Sequence, residues 1–588
     1  MTAVVEAPAG SGLGTAIRDA SPLLASIGLL MAGNGLTSTL LGTRAGLEGF
    51  RPSVVGVVLA GYYVGFLAGS VLAPATITRV GHVRVFAGLA SLASGAVLVH
   101  VVRPEPLTWF VLRAVSGMCI SALYVVCETW LNGVATNRSR GGLLATYMVV
   151  VSGSLLVGQL LFAVADPGGF GLFVLASVLV SLAVVPVSLA SFPAPAVPSP
   201  TPISLRRLVG VAPLAAVGAA LSGFIGAAML GAGVVYAADA GFGSFATGAF
   251  IGAALAGGVL LQFPLGRWSD KVDRRFVMAV AAVVAAGVAV AASMVNTDRR
   301  IVLIALTTIA GGSAFPLYSL SNAHLNDYLD ADLVVAGGAR MVLINGAGSV
   351  AGPVVGAAAV GLIGPESLFL VLAGGYLPIG LYAAYRMTRR AAPDETDRAT
   401  FQVQAVGVGP TAVALAEPDV DGVHPPSAGL FDGTGATVVY REQGTGSAVV
   451  LLGEVVSGHE AWDDLIRALA ANGVWAIAPD AIHGDDPPSA PSADGVLEVL
   501  RHLEIPAATF VGGGDHTEMA STMAEEHPDR TEAVVLVRET ADGHDEAVEE
   551  VQRPTLVLER SWLESPEHLA DEIATFVRHL PAPHHEAR

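Results

Sequence analysis

Twelve stretches of predominantly apolar residues, each about 18 or more long, follow one another between residues 22 and 387. Approximate bounds are 22–41, 53–75, 84–102, 107–131, 142–164, 170–190, 208–236, 246–265, 276–295, 301–323, 339–362 and 367–387. A run of that length spans a hydrocarbon layer about 30 Å thick as one helix. Inside that layer no water pairs with the backbone, so helices satisfy their own N–H and C=O groups. The composition agrees, since 53% of residues are hydrophobic and only 14% are charged. The expected fold class is an all-α polytopic membrane protein of 12 transmembrane helices in two six-helix bundles, with a C-terminal α/β domain.

Charge divides the chain near Arg390. Up to that residue the formal net charge is +7, and from Ala391 onward it is −26, which together make the −19 of the whole. The expected organisation is a cytoplasmic segment 1–21, an N-terminal bundle 22–190, an interbundle linker 191–207 and a C-terminal bundle 208–390. A flexible linker 391–436, a hydrolase-like domain 437–580 and a tail 581–588 complete it. Phe192 to Pro202 is rich in proline and separates six helices from six. Met1 to Ser21 has one arginine and no cleavage signal, so it reads as an uncleaved lead-in. Cys119 and Cys127 lie about 12 Å apart along one helix and cannot bridge.

Basic residues in short loops stay on the cytoplasmic side. One alternate set of loops carries 14 of them, from Arg79 and Arg84 to Arg386, Arg389 and Arg390, whereas the other set has 5. Both termini are therefore expected in the cytoplasm, and the chain in the inner (plasma) membrane.

Two places in the membrane part carry mechanism. The turn after the eighth helix reads Gly266-Arg-Trp-Ser-Asp270-Lys-Val-Asp273-Arg274-Arg275, an aspartate among cations at the membrane edge. In helix four, Arg113, Gly117, Ile120, Tyr124 and Glu128 recur on one face. A buried arginine costs at least about 2.5–3.5 kcal/mol in a membrane and normally faces a cavity or a partner. Glu128 is the carboxylate expected to exchange a proton as access alternates. Further polar candidates for a central cavity are Asn34, Thr37, Tyr147, Gln159, Tyr236, Gln262, Tyr318, His324 and Asn345. Their neutral character speaks against a highly charged solute.

The Gly266–Arg275 turn resembles the cytoplasmic signature of the major facilitator superfamily, in which such charges hold the inward-closed state. That implies a gate built from Gly266, Asp270, Arg274 and Arg275. The corresponding turn between helices two and three has Thr78 where the pattern has an aspartate. Arg113-Ala-Val-Ser-Gly117 is similar to a fourth-helix pattern of proton-coupled members. The run Tyr124-Val-Val-Cys-Glu128-Thr-Trp-Leu-Asn132, with Asn137 to Tyr147, Gly158-Gln159, Gln262 to Gly266 and Phe315-Pro316-Leu-Tyr318, resembles the YcaD-type branch over roughly residues 22–388. The resemblance implies secondary transport without naming a cargo.

From Thr437 onward, strand-like runs alternate with helical ones, which predicts a mostly parallel sheet. Tyr440 to Gly446, Ala478-Pro479-Asp480 and His527-Pro528-Asp529-Arg530 resemble α/β-hydrolases. The nucleophile elbow of that fold needs Gly-x-Ser-x-Gly. Here Gly512-Gly513-Gly514-Asp515-His516 puts Gly514 in the serine position, and Gly453-Glu454 stands where the fold has His-Gly. An inactive module is expected, so the chain reads as a transporter and not an enzyme.

The expected function is secondary active transport of a small organic solute with protons, by alternating access, by a monomer in a lipid bilayer. Cofactors, metals and nucleic acid are not expected. The competing expectations are a membrane-tethered hydrolase-like enzyme, possible only through Asp515, His516 or Ser521, and a non-transporting membrane sensor.

Overall fold

The computed structural model describes residues 13–134, 140–189, 204–329, 333–389, 427–432, 437–444, 446–452, 459–482, 493–503, 505–513, 517–538, 553–559 and 566–580. The chain divides into two compact units. One comprises 19–134 and 142–416, and the other comprises 1–18, 135–141 and 417–588.

A short helix α1 (Leu13–Asp19) lies within the N-terminal segment. The N-terminal bundle consists of α2 (Ser21–Leu47), α3 (Pro52–Val80), α4 (His82–Val102), α5 (Pro106–Val134), α6 (Arg140–Leu161) and a sixth span formed by α7 (Gly171–Leu182) and α8 (Val184–Leu189). A helix α9 (Leu205–Val211), capped by the Ser204 hydroxyl, begins inside the expected linker. The C-terminal bundle follows as α10 (Pro213–Asp239), α11 (Ser244–Lys271), α12 (Arg274–Ser293), α13 (Arg300–Ala310), α14 (Ala314–Asn326), α15 (Val334–Ile363) and α16 (Ser367–Met387). Among the described residues, twelve spans are long and apolar enough to cross a membrane, as the hydropathy pattern predicts.

The expected continuous tenth span, 301–323, is broken. It comprises α13 and α14, separated by Gly311, Gly312 and Ser313. Two adjacent glycines weaken the helix, and the Ser313 hydroxyl donates to the Ile309 carbonyl at 2.7 Å, a bond that bends helices. The break also lets Gly312 pack against Gly257 of α11, where a Cβ would have no room.

Close helix approach through small residues holds each bundle together, since lipid supplies no hydrophobic drive between helices. In the first bundle a Cβ on Gly65 of α3 would run into the Ala114 carbonyl of α5, and one on Gly117 into the Tyr62 carbonyl. Between the bundles, Gly56 meets the Pro353 carbonyl, Gly361 meets Pro52, Gly42 meets Val234 and Gly248 meets the Gln159 carbonyl. These four contacts cluster at the end carrying loops 48–51 and 364–366. There the buried core runs unbroken from Leu36, Leu40 and Val55 of one bundle into Val234 and Ala357 of the other.

The second unit contains a seven-stranded sheet in the order β1-β2-β4-β3-β5-β6-β7. Its strands are β1 (Ser427–Asp432), β2 (Thr437–Gln443), β3 (Ala448–Leu452), β4 (Trp475–Ile482), β5 (Ala508–Gly513), β6 (Thr531–Arg538) and β7 (Thr555–Glu559). The β1/β2 and β2/β4 pairs are antiparallel, and the rest are parallel. Successive residues of a strand face opposite sides. Accordingly Val450 and Leu452 pack under helices Ala493–His502 and Thr517–Glu526, while Val449 and Leu451 pack under His459–Ala471 and Pro566–Arg578. The expected linker 391–436 is corrected at its end, because Ser427–Asp432 is the edge strand β1.

Candidate functional site

A cavity of about 120 Å³ lies between the two bundles and is lined from both. From the first bundle come Asn34 and Ser38 of α2, Tyr62, Tyr63 and Phe66 of α3, and Tyr124 of α5. Gln159 of α6 completes that wall. The second bundle contributes Ser222 of α10, Phe315 and Tyr318 of α14, and Asn345 and Ser349 of α15. The break between α13 and α14 therefore sits next to the cavity, since Ala314 and Phe315 line it as well.

Five expected residues meet in this space: Asn34, Tyr124, Gln159, Tyr318 and Asn345. Their bonds separate packing from recognition. Gln159 is fully engaged by α2, its Nε2 donating to the Gly35 carbonyl at 3.0 Å and its Oε1 accepting from the Thr39 hydroxyl. Tyr124 donates to the Met31 Sδ at 2.8 Å. Asn34 Nδ2 donates to the Tyr62 hydroxyl at 3.3 Å, and Asn345 Nδ2 to the Ala219 carbonyl at 3.0 Å.

Arg113 does not line the cavity. Its guanidinium carbon lies over the Tyr62 ring, 4.5 Å from the centroid, and its Nε and Nη1 are buried without hydrogen-bond partners. The helix-four stripe faces α3, whose Tyr62 and Phe66 approach it closely, so only Tyr124 of that stripe reaches the central space. Glu128 is fully buried. Its carboxyl hydrogen-bonds with the Tyr147 side chain and lies within electrostatic range of Tyr124 and of Tyr318, which belongs to the opposite bundle.

His324 is likewise placed away from the cavity, with its Nδ1 4.0 Å from Asp327 Oδ2 and its ring 5.2 Å from that of Tyr328. Tyr236 belongs to an aromatic cluster with Phe242, Phe250 and Phe369. Thr37 bonds back to the Gly33 carbonyl, and Gln262 donates to the Ser319 hydroxyl at 2.7 Å. All three are packing residues.

At the basic-loop end the charged residues expected to form a gate are paired, with Asp327 at the centre of the group. Arg274 Nη1 lies 2.8 Å from Asp327 Oδ1 and 2.6 Å from the Ala323 carbonyl, whereas its Nη2 is 3.4 Å from Asp270 Oδ1. The Arg274 and Asp327 side chains are 1% and 3% exposed, against 36% for Asp270. Asp327 is therefore the principal partner, and Asp270 a peripheral one. Gly266 is buried at the foot of α11, where its carbonyl accepts from the Ser269 hydroxyl at 2.7 Å. Arg275 pairs with Asp273 at 2.7 Å and reaches the Arg386 carbonyl of α16 at 3.3 Å. Burial alone raises the Asp273 carboxyl, but the hydrogen bonds and charge of Arg275 outweigh it and hold the group below the usual carboxylate range.

Motif reading missed Asp327, although an aspartate directly after an apolar helix is a visible signal. It also missed Tyr62, Tyr63, Phe66 and Phe315, because aromatic residues within an apolar helix are usually lipid-facing or core. In the second unit, β5 runs through Gly512 and Gly513 toward helix Thr517–Glu526, the strand-to-helix setting of an elbow. Gly514, Asp515 and His516 lie outside the described residues, as do Gly453 and Glu454. Ser521 is buried in that helix and donates to the Thr517 carbonyl at 3.2 Å.

Residues 215–479 match the family model of the Major Facilitator Superfamily, a match that begins in α10 and ends in β4. An uncharacterized MFS-type transporter of Yersinia pestis (strain Pestoides F) is 24% identical over 324 residues, covering 54% of this chain and 83% of the relative. The uncharacterized MFS-type transporter YcaD of Escherichia fergusonii is 25% identical over 354 residues, covering 60% and 91%. Among solved structures, the nucleoside transporter NupG aligns with a TM-score of 0.52 at 13% identity, over 63% of this chain and 99% of its own. With twelve spans in two bundles around a shared cavity, this chain is similar to the Major Facilitator Superfamily over residues 215–479 and to YcaD-type transporters over more than half its length.

Proposed function

We propose that this protein moves a small organic solute across the inner membrane by alternating access, coupled to protons through Glu128. The observation that carries the reading is the cavity between the bundles. A solute held by α2, α3 and α5 on one side and by α14 and α15 on the other is gripped by two bodies whose relative position can change. The contacts between bundles concentrate at the end carrying loops 48–51 and 364–366. With basic loops and both termini in the cytoplasm, this arrangement is closed to the outside and opens inward. Glycine seams let one bundle rock on the other. Arg274 with its partners Asp327 and Asp270, together with Arg275 and with Gly266 one helical turn before Asp270, forms the gate at the inner end.

Glu128 suits the coupling role because it is wholly buried within electrostatic range of tyrosines from both bundles. Adding or removing its proton alters a charge that Tyr318 of the other bundle senses. Arg113 holds the Tyr62 ring at the cavity wall and is a positioning residue. The second unit keeps a hydrolase-like sheet without a serine at Gly514, which favours an accessory role over catalysis.

Reconstitution of the full chain in vesicles with a pH gradient and a pH-sensitive dye tests the coupling. Glu128→Gln is expected to abolish the pH dependence of solute movement while the protein still folds and inserts. Unchanged pH dependence would rule Glu128 out.

A further inference from the structure

The cavity lining restricts what the solute can be. Among the described residues, no Asp, Glu, Lys, Arg or His lines it. Phe66 and Phe315 line it from opposite bundles and give both walls aromatic surface. Four polar groups retain unused hydrogen-bonding capacity. Among the described residues, the hydroxyls of Ser38 and Tyr63 make no hydrogen bond, and the side-chain carbonyls of Asn34 and Asn345 accept none, while their amide nitrogens each make one. Polar groups facing a mostly apolar cavity are satisfied by water or by a ligand.

We propose that this cavity binds an uncharged, ring-bearing solute that offers N–H or O–H donors as well as an acceptor. The proposal rests on the transport reading of the same cavity and narrows its substrate class. The two carbonyl oxygens require donors, and Asn34 and Asn345 stand on different bundles, so one solute can engage both. A charged solute would leave water for a lining that contains no opposite charge, which is unfavourable. Arg113 does not supply that charge directly, because it lies over the Tyr62 ring and not in the lining.

Three ring compounds of nearly equal size separate the possibilities: nicotinamide is neutral and carries amide donors, nicotinate is an anion, and 1-methylnicotinamide is a cation. Thermal stabilisation of the purified full chain is read with each. Nicotinamide is expected to bind with a Kd of about 1 mM or tighter, and each charged analogue about tenfold or more weaker. Asn34→Leu and Asn345→Leu are each expected to weaken nicotinamide about fivefold. Asn345→Asp introduces a carboxylate and is expected to shift preference toward 1-methylnicotinamide, a readout that survives if a leucine variant does not fold. No stabilisation by nicotinamide, or equal or tighter binding of a charged analogue to the unaltered protein, overturns the proposal. Vesicle flux keeps the two readings apart. Binding of nicotinamide without flux contradicts transport alone, whereas flux of a charged analogue without nicotinamide flux contradicts the solute class alone.

Discussion

Arg274 and Arg113 are both buried cations, yet their surroundings assign them different work. Arg274 has a buried carboxylate at 2.8 Å, whereas Arg113 has the Tyr62 ring. A buried cation deprived of its partner costs about 3–5 kcal/mol, whereas a largely exposed ion pair contributes about 1 kcal/mol or less. Asp327→Asn is therefore expected to lower the thermal midpoint of the detergent-solubilised protein markedly, and Asp270→Asn to leave it nearly unchanged. Equal effects would show that the two carboxylates share the load. Asp270, Arg274 and Arg275 were legible in the sequence as a charged turn at a membrane edge. Their pairing was not, because Asp327 lies 53 residues from Arg274 and only folding brings them together. Glu128 was legible as an isolated acid in an apolar run, but its action on Tyr318 depends on how the bundles meet.

At the scale of elements, length and hydropathy located all twelve spans, because a bilayer demands about 20 apolar residues of each. Which face of a span meets the cavity was much harder to read. Helices embedded in lipid are apolar all round, so the amphipathic stripe that orients a surface helix is missing. The break between α13 and α14 was visible only as Gly311-Gly312-Ser313, a pattern that many unbroken membrane helices tolerate. In the sheet, β3 reads clearly because all five of its residues are buried. Strand β1 does not, since it pairs only with β2 and is held by backbone bonds rather than by a distinctive apolar pattern. His502, at the end of helix Ala493–His502, packs against Tyr440, and burial lowers its pKa. The unfolded chain then binds a proton before the folded one does, so stability is lost as pH falls through about 6.5. Protection factors of the amides in that helix, corrected for the intrinsic exchange rate at each pH, are expected to fall below this pH in the full chain, and His502→Asn to remove the fall. Identical acid sensitivity in the variant would place the cause elsewhere.

For the molecule as a whole, the proposed alternating access makes a specific demand on the two six-helix bundles: when one end opens, the other closes. Spin labels measure this directly, since Cys119 and Cys127 are buried and leave introduced surface cysteines as the labelled sites. One pair, Arg51→Cys with Glu366→Cys, spans the bundles at the end carrying loops 48–51 and 364–366. The other, Arg79→Cys with Lys271→Cys, spans them at the basic-loop end. All four positions are exposed. Distances between the labels are then compared in the otherwise native protein across a pH series and in the Glu128→Gln background. Alternating access predicts that the 51–366 distance lengthens as the 79–271 distance shortens, with Glu128→Gln holding both at one extreme. Two distances that stay fixed, or that change in the same direction, would contradict it.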